Sequence, residues 1–154
     1  KNKFDDKVLL AGPGFGGKYQ VFLEKLVNKY KLNDKILFSG PLYKELKWGC
    51  IMASECMLLS SHGENFGISL VESLSVSVPV ITTDKVNISN EILNSGAGLI
   101  SKNTVSGFSD NLLKFIQFNK KQKLYMSQQA LKCFENNFNI SSNKKTLSNL
   151  LLKK

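Results

Sequence analysis

Short apolar runs alternate with amphipathic stretches along the chain, and the alternation predicts β-strands followed by α-helices. Residues 7–12 read as a buried strand that empties into Gly12-Pro13-Gly14-Phe15-Gly16-Gly17, and residues 18–31 follow with helical spacing at Val21, Phe22, Leu26 and Tyr30. Asn33-Asp34 turns the chain into a strand over 35–39, which ends in Gly40-Pro41-Leu42-Tyr43. A short helix over 44–54 carries Leu46, Trp48, Ile51 and Met52, and a strand over 56–59 leads into the polar stretch Ser60-Ser61-His62-Gly63-Glu64. Next come a helix with Ile68, Leu70, Val71 and Leu74, a strand over 78–82, a short helix over 88–93 closed by Asn94-Ser95-Gly96, and a last strand over 97–100. Three further amphipathic helices are predicted over 108–118, 121–134 and 140–152, with their Phe and Leu positions in the core. No internal repeat or low-complexity linker interrupts the series.

Five or six short strands alternating with helices predict an α/β fold: a Rossmann-like, doubly wound parallel sheet with helices on both faces and the C-terminal helices packing alongside. Such sheets bind ligands at the carboxyl ends of their strands. The loops after residues 11, 39, 59 and 82 all belong to that edge, so together they predict a nucleotide cleft. Gly12, Gly14 and Gly17 also satisfy a G-x-G-x-x-G dinucleotide pattern, but that fingerprint needs an acid at the end of the next strand to hold a ribose. That strand ends in Gly40-Pro41-Leu42, and Asp34 precedes it at the wrong end, which argues against NAD.

The most informative stretch is residues 60–84. A polar loop there opens a helix, with Glu64 before the helix, Glu72 on it, and the turn Asn65-Phe66-Gly67 between them. A helix start leaves backbone N–H groups unpaired and carries partial positive charge, so a phosphate is attracted to it. Gly67 has no Cβ to keep a ligand away from the main chain. At ~1.5 Å per residue, eight residues span at most ~12 Å, roughly the length from a hexose across a diphosphate to a ribose. Carboxylates are good acceptors for vicinal hydroxyls, so Glu64 and Glu72 flanking an anion site describe a nucleotide sugar.

Composition narrows the remaining classes. The chain has 154 residues, 42% hydrophobic and 10% aromatic, enough for a packed core. Its apolar runs are too short to cross a bilayer, which needs about 20 residues. No secretory signal is expected, because residues 1–6 turn acidic before any hydrophobic segment forms, and the absence of an initial Met suggests a fragment of a longer protein. The net charge of +9 comes entirely from Lys, with no Arg. Clusters at Lys120-Lys121-Lys123, Lys144-Lys145 and Lys153-Lys154 read as solvated helix faces or as attraction to an anionic membrane surface, and nucleic acid is not expected as a partner. Cys50, Cys56 and Cys133 have no C-x-x-C spacing and are expected as reduced thiols in a cytoplasmic protein. The single histidine, His62, cannot build a metal site, and its place two residues before Glu64 leaves two roles open: touching the ligand or capping the loop.

Ser61, Glu64, Asn65, Phe66, Gly67, Glu72, Pro79, Val80 and Ile81 stand in the order of a known signature. The stretch resembles the E-x7-E region of the retaining GT-B glycosyltransferases of family four, also called glycosyl transferases group 1. Two positions depart from it: Ser60 stands where the family often has Pro, and Ser77 where it usually has Gly, the common left-handed helix stop. The resemblance implies that residues 1–154 form one nucleotide-sugar-binding domain, the C-terminal half of a two-domain enzyme without its first strand, loop and helix. It implies that Glu64 acts at the donor hexose as the catalytic carboxylate, that N–H groups of Phe66, Gly67 and Ile68 bind the diphosphate, and that Glu72 grips the ribose hydroxyls. Asn65 belongs to the same donor-binding set, and His62 is its open candidate. Gly12 and Gly14 correspond to the family's glycine loop, here without its acid, while Pro41 and Leu42 would lie against the nucleotide base. The loop at Thr83-Asp84-Lys85 would lie near the donor as well. Neither cofactor nor metal is implied, since cations and main-chain N–H groups meet the leaving diphosphate.

The parent enzyme would then transfer a sugar from a nucleotide diphosphosugar to a saccharide or lipid-linked acceptor with retention. Cell-surface polysaccharide assembly in the cytoplasm, with peripheral contact at the inner membrane face, is the implied setting. The family's phosphate-binding Arg and Lys lie upstream of this sequence, so the fragment alone is expected to be inactive. A non-catalytic nucleotide-binding or interaction module on the same fold is the alternative.

Overall fold

The structure is a computed structural model that describes residues 6–14 and 16–140. The chain divides into two compact units, Lys1–Trp48 and Gly49–Lys154.

In the first unit, β1 (Val8–Ala11) and β2 (Ile36–Gly40) pair in parallel across the helix α1 (Lys18–Lys29). Val8 faces Ile36 and Leu9 faces Leu37, and the register slips between Leu10 and Ala11. Contrary to the expectation of a buried strand, Leu9 and Leu10 are 42% and 37% exposed. Successive strand residues point to opposite faces, so neither face of β1 is covered within this unit. The helix α2 (Lys44–Met52) spans the division and buries Ile51.

The second unit runs β3 (Met57–Leu59), α3 (Ile68–Ser75), β4 (Val80–Thr83), α4 (Ser89–Ser95), β5 (Gly98–Ser101), α5 (Val105–Gln117) and α6 (Lys120–Asn137). Its three strands pair in parallel in the order β3-β4-β5, with Leu58 opposite Ile81 and Ile81 opposite Leu99. A central parallel strand is covered on both faces, so its residues are buried without alternation, and all four of β4 are buried, Val80 and Ile81 as well as Thr82 and Thr83. Period two then sorts the packing. Val80 joins Leu70 and Leu74 of α3, Ile92 of α4 and Ala130 and Cys133 of α6 on one face. Ile81 joins Phe115 of α5 and Met126 of α6 on the other, with Leu58 and Leu99 beside it.

The fold is therefore α/β with parallel sheets flanked by helices. Five strands stand at the lower end of the five or six predicted, and their ladders form a two-stranded and a three-stranded sheet. The last two helices start earlier than their apolar spacing suggests, because polar caps set their origins. The Thr104 hydroxyl accepts the Gly107 N–H at 3.1 Å, and Asn119 and Gln122 form a reciprocal capping box at 2.9 Å. The predicted helix over 140–152 lies outside the described residues except at Ile140.

Candidate functional site

The loop between β3 and α3 is held from three directions. Thr82 and Thr83 at the end of β4 donate their hydroxyls to the carbonyls of Leu59 and Ser61, each at 2.8 Å, which fixes the loop as it leaves β3. The Glu64 N–H then donates to the Lys85 carbonyl at 3.1 Å, and the Glu64 carbonyl accepts the Asn87 N–H at 3.2 Å. These bonds form a short parallel bridge between Glu64 and Val86, so the β4–α4 loop acts as an added rung beside the site. The Asn87 side-chain amide also donates to the Asn65 side-chain oxygen at 3.1 Å.

Gly67 turns this loop into the helix. Its φ of +71° and ψ of 55° are left-handed, and its carbonyl takes the Leu70 and Val71 N–H groups at 2.9 and 3.2 Å. No side chain caps α3, so the start of the helix is built by main chain. Glu64 reaches forward instead, its carboxylate accepting the Gly67 N–H at 3.3 Å. An N–H that the sequence reading assigns to a diphosphate is thus engaged by the neighbouring acid, and the helix start already holds a negative charge. Phe66 is half-exposed and packs edge-on against Phe138, ring centres 6.0 Å apart. Ile68 is exposed, and Glu72 is half-buried on α3 one residue before the buried Ser73.

Two further contacts involve the carboxyl end of β5, one reaching this loop and the other the end of β4. Asn103, just beyond β5, hydrogen-bonds His62 Nδ1 through its amide nitrogen at 2.9 Å. Lys102 pairs with Asp84 at 3.0 Å. That hydrogen bond holds the Asp84 carboxyl below the ordinary carboxylate value, against an opposing effect of burial and with help from the Lys102 and Lys85 charges.

Glu64, Asn65, Phe66, Gly67 and Ile68 thus come together in one turn, with His62 and Glu72 on either side of it in the chain. Gly12, Gly14, Pro41 and Leu42 belong to the first unit, where the Gly12 N–H donates to the Gly40 carbonyl at 3.0 Å and brings the ends of β1 and β2 side by side. Asn87 and Asn103 are absent from the sequence reading. The only signal for them is their place in loops at the carboxyl ends of β4 and β5, the edge on which the predicted site lies. A cleft of about 390 Å³ lined by Met52, Glu55, Pro79, Lys123 and Leu124 lies before β3 and β4, at their amino ends, and contains none of the predicted site residues. Among the described residues no cluster of three metal-ligating side chains occurs, and no helix is long and apolar enough to cross a membrane.

A family model described as glycosyl transferases group 1 matches residues 2–132. D-inositol 3-phosphate glycosyltransferase of Kineococcus radiotolerans is 27% identical over 92 residues, which is 59% of this chain and 21% of that protein. Sucrose-phosphate synthase from Thermosynechococcus elongatus superposes with a TM-score of 0.79 at 18% identity, over 94% of this chain and 37% of its own. Anabaena HepE, solved in complex with UDP, gives 0.80 at 15% identity over 95% of this chain and 40% of its own. The chain therefore spans about a fifth of the curated relative and about two-fifths of either structure, and at these identities the structural likeness is one of fold.

Proposed function

The chain belongs to the glycosyl transferases group 1 family, and on that premise we propose that it is the donor-binding domain of a longer retaining glycosyltransferase of family four. The observation that carries this reading is the turn at Gly67: a left-handed residue opens α3 without a side-chain cap, with one carboxylate at its mouth and a second along the helix. The structural neighbour HepE, solved with UDP and with UDP-glucose, supports a nucleotide diphosphosugar as the ligand class.

In this reading the donor diphosphate takes the place of the Glu64 carboxylate at the Gly67 N–H. Glu64, released, holds hydroxyls of the donor hexose beside the reacting carbon. Phe66 and Ile68 add main-chain N–H groups, Asn65 and His62 line the loop, and Glu72 accepts the ribose hydroxyls. Gly12, Gly14, Pro41 and Leu42 remain proposed nucleotide contacts by their correspondence to the family's loops. The bond between the sugar's anomeric carbon and the diphosphate oxygen breaks, a glycosidic bond to an acceptor hydroxyl oxygen forms on the same face, and the nucleoside diphosphate leaves with the proton that the hydroxyl loses. No metal or cofactor is invoked: main-chain N–H groups, with cations from an upstream segment, meet the developing charge. The acceptor is a saccharide or lipid-linked saccharide of cell-surface polysaccharide assembly, reached from the cytoplasmic side, and it binds largely on the upstream domain. The chain alone is then inactive.

The test is an amide-resolved NMR titration of the 154-residue chain with UDP, GDP, ADP and NAD, repeated on the longer protein. Shifts confined to 66–68 and 72 with one nucleotide support the reading and name the base. Shifts centred on 12–17 with NAD overturn it. In the longer enzyme Glu72→Ala weakens donor binding about 10- to 100-fold, the value of hydrogen bonds to a charged group, while Glu64→Gln lowers turnover. Small and equal effects of both would leave the acids without a donor role.

A further inference from the structure

We propose that Asn103 is a positioning residue that fixes the tautomer of His62, so that His62 offers its Nε2–H to an acceptor oxygen of the nucleotide diphosphosugar. The ligand half of this proposal rests on the donor-site reading above, and the tautomer half does not.

The chemistry follows from one contact. Asn103 Nδ2 lies 2.9 Å from His62 Nδ1. An amide –NH₂ only donates, so Nδ1 must present its lone pair, and a neutral imidazole then carries its proton on Nε2. The bond joins loops 41 residues apart, and both ends are anchored. On the Asn103 side, the Asp84 N–H donates to the Ser101 carbonyl at 2.9 Å, and the Asp84 carboxylate pairs with the ammonium of Lys102, the residue before Asn103, at 3.0 Å. Thr104, the next residue, caps α5. On the His62 side, the Ser61 carbonyl accepts the Thr83 hydroxyl, the Ser61 hydroxyl accepts the Gly63 N–H at 3.2 Å, and Glu64 is bridged to Val86. Neither loop is free to carry its side chain away, so the amide sets the state of the ring.

The consequence is a neutral hydrogen-bond donor two residues before Glu64. Acids flank the helix start, and the loop supplies no cation of its own. His62 is exposed, and its Nε2–H suits a phosphate or hydroxyl oxygen of the donor proposed for Glu64 and Glu72.

Because the chain contains a single histidine, a long-range ¹H–¹⁵N spectrum shows one imidazole. The spectrum is recorded at about pH 8. The expected spectrum has a protonated Nε2 and a fully unprotonated Nδ1 in the wild-type chain. Asn103→Ala moves both nitrogens toward the averaged shifts of a tautomer mixture. Asn103→Asp places an acceptor opposite Nδ1 and draws the proton there. The amide spectrum of each variant reports whether it folds, and if one does not, the wild type and the other still decide. A wild-type ring protonated at Nδ1, or one whose nitrogen shifts ignore both substitutions, overturns the tautomer assignment.

Adding UDP-glucose, GDP-mannose or ADP-glucose separates the two halves. The expected result is a shift and slowed exchange of Nε2–H together with the amides of 66–68, and about 3- to 10-fold weaker binding in Asn103→Ala. Movement of 66–68 with an unchanged Nε2–H overturns the ligand half and leaves the donor site standing. If none of the three moves 66–68 in the longer protein either, the donor-site reading itself falls, whatever the tautomer.

Discussion

Gly67 is the residue at which backbone geometry and ligand chemistry meet. A Cβ built there would lie 3.3 Å from Val86 Cγ1 and 3.4 Å from Leu70 Cδ1, in a backbone conformation that costs an L-residue about 1–2 kcal/mol. Gly67→Ala is expected to lower stability by about that amount in urea unfolding, and an unchanged midpoint would show that the turn relaxes. Asp84 makes a second prediction at this scale. Its carboxyl is held below the ordinary value of 3.8 in the folded chain, so its contribution is fully present above that value and is lost as pH falls through the lower folded value. Since the largest cause is the hydrogen bond from Lys102, Lys102→Met is expected to move the Asp84 titration back toward 3.8, read by carboxyl ¹³C shifts against pH. An unmoved titration would assign the effect to Lys85 and the Asn103 N–H instead.

At the scale of elements, the turn from α3 to β4 shows what sequence reasoning reaches. The Val78 N–H returns to the Ser73 carbonyl at 3.0 Å and the Ser77 N–H to Leu74 at 3.1 Å, a Schellman closure whose left-handed residue is Ser77, φ +63°. Ser77 is the very position at which the family signature has Gly, so the local pattern foretells the strain. Ser77→Gly is expected to raise stability by up to about 1 kcal/mol, the relieved backbone strain less the added freedom of the unfolded chain. The Ser127 hydroxyl bonds the Ser77 carbonyl, which the substitution keeps, so a destabilised variant would contradict the strain argument. Glu64, Phe66, Gly67 and Glu72 were legible for the same reason: they sit in one contiguous stretch whose loop-to-helix signals are local. Asn87 and Asn103 were not, because their partners lie 22 and 41 residues away and meet only once β3, β4 and β5 are laid side by side. Gly98 is similar. A Cβ there would stand 2.2 Å from the Val80 carbonyl oxygen, a demand set by strand pairing that no periodicity reveals.

For the whole molecule, an apolar run does not by itself state how deeply a strand is covered. Residues 8–11 and 80–83 both read as buried strands, yet β1 is open on both faces within its unit and β4 has helices on each side. The two units should therefore open at different cost. A two-stranded sheet is marginal by itself, whereas β4 is paired on both edges and packs into two hydrophobic clusters, so exposing it dismantles the larger core. Native-state hydrogen exchange is expected to leave the β4 amides among the slowest, with those of β1 and β2 faster by roughly a hundredfold or more, an opening free-energy difference of about 2.7 kcal/mol. Low denaturant sharpens the contrast, since exchange in β4 then follows global unfolding and exchange in β1 does not. If β1 and β4 exchange at the same rate across that range, the chain unfolds as one cooperative block and the division at Trp48 has no energetic counterpart.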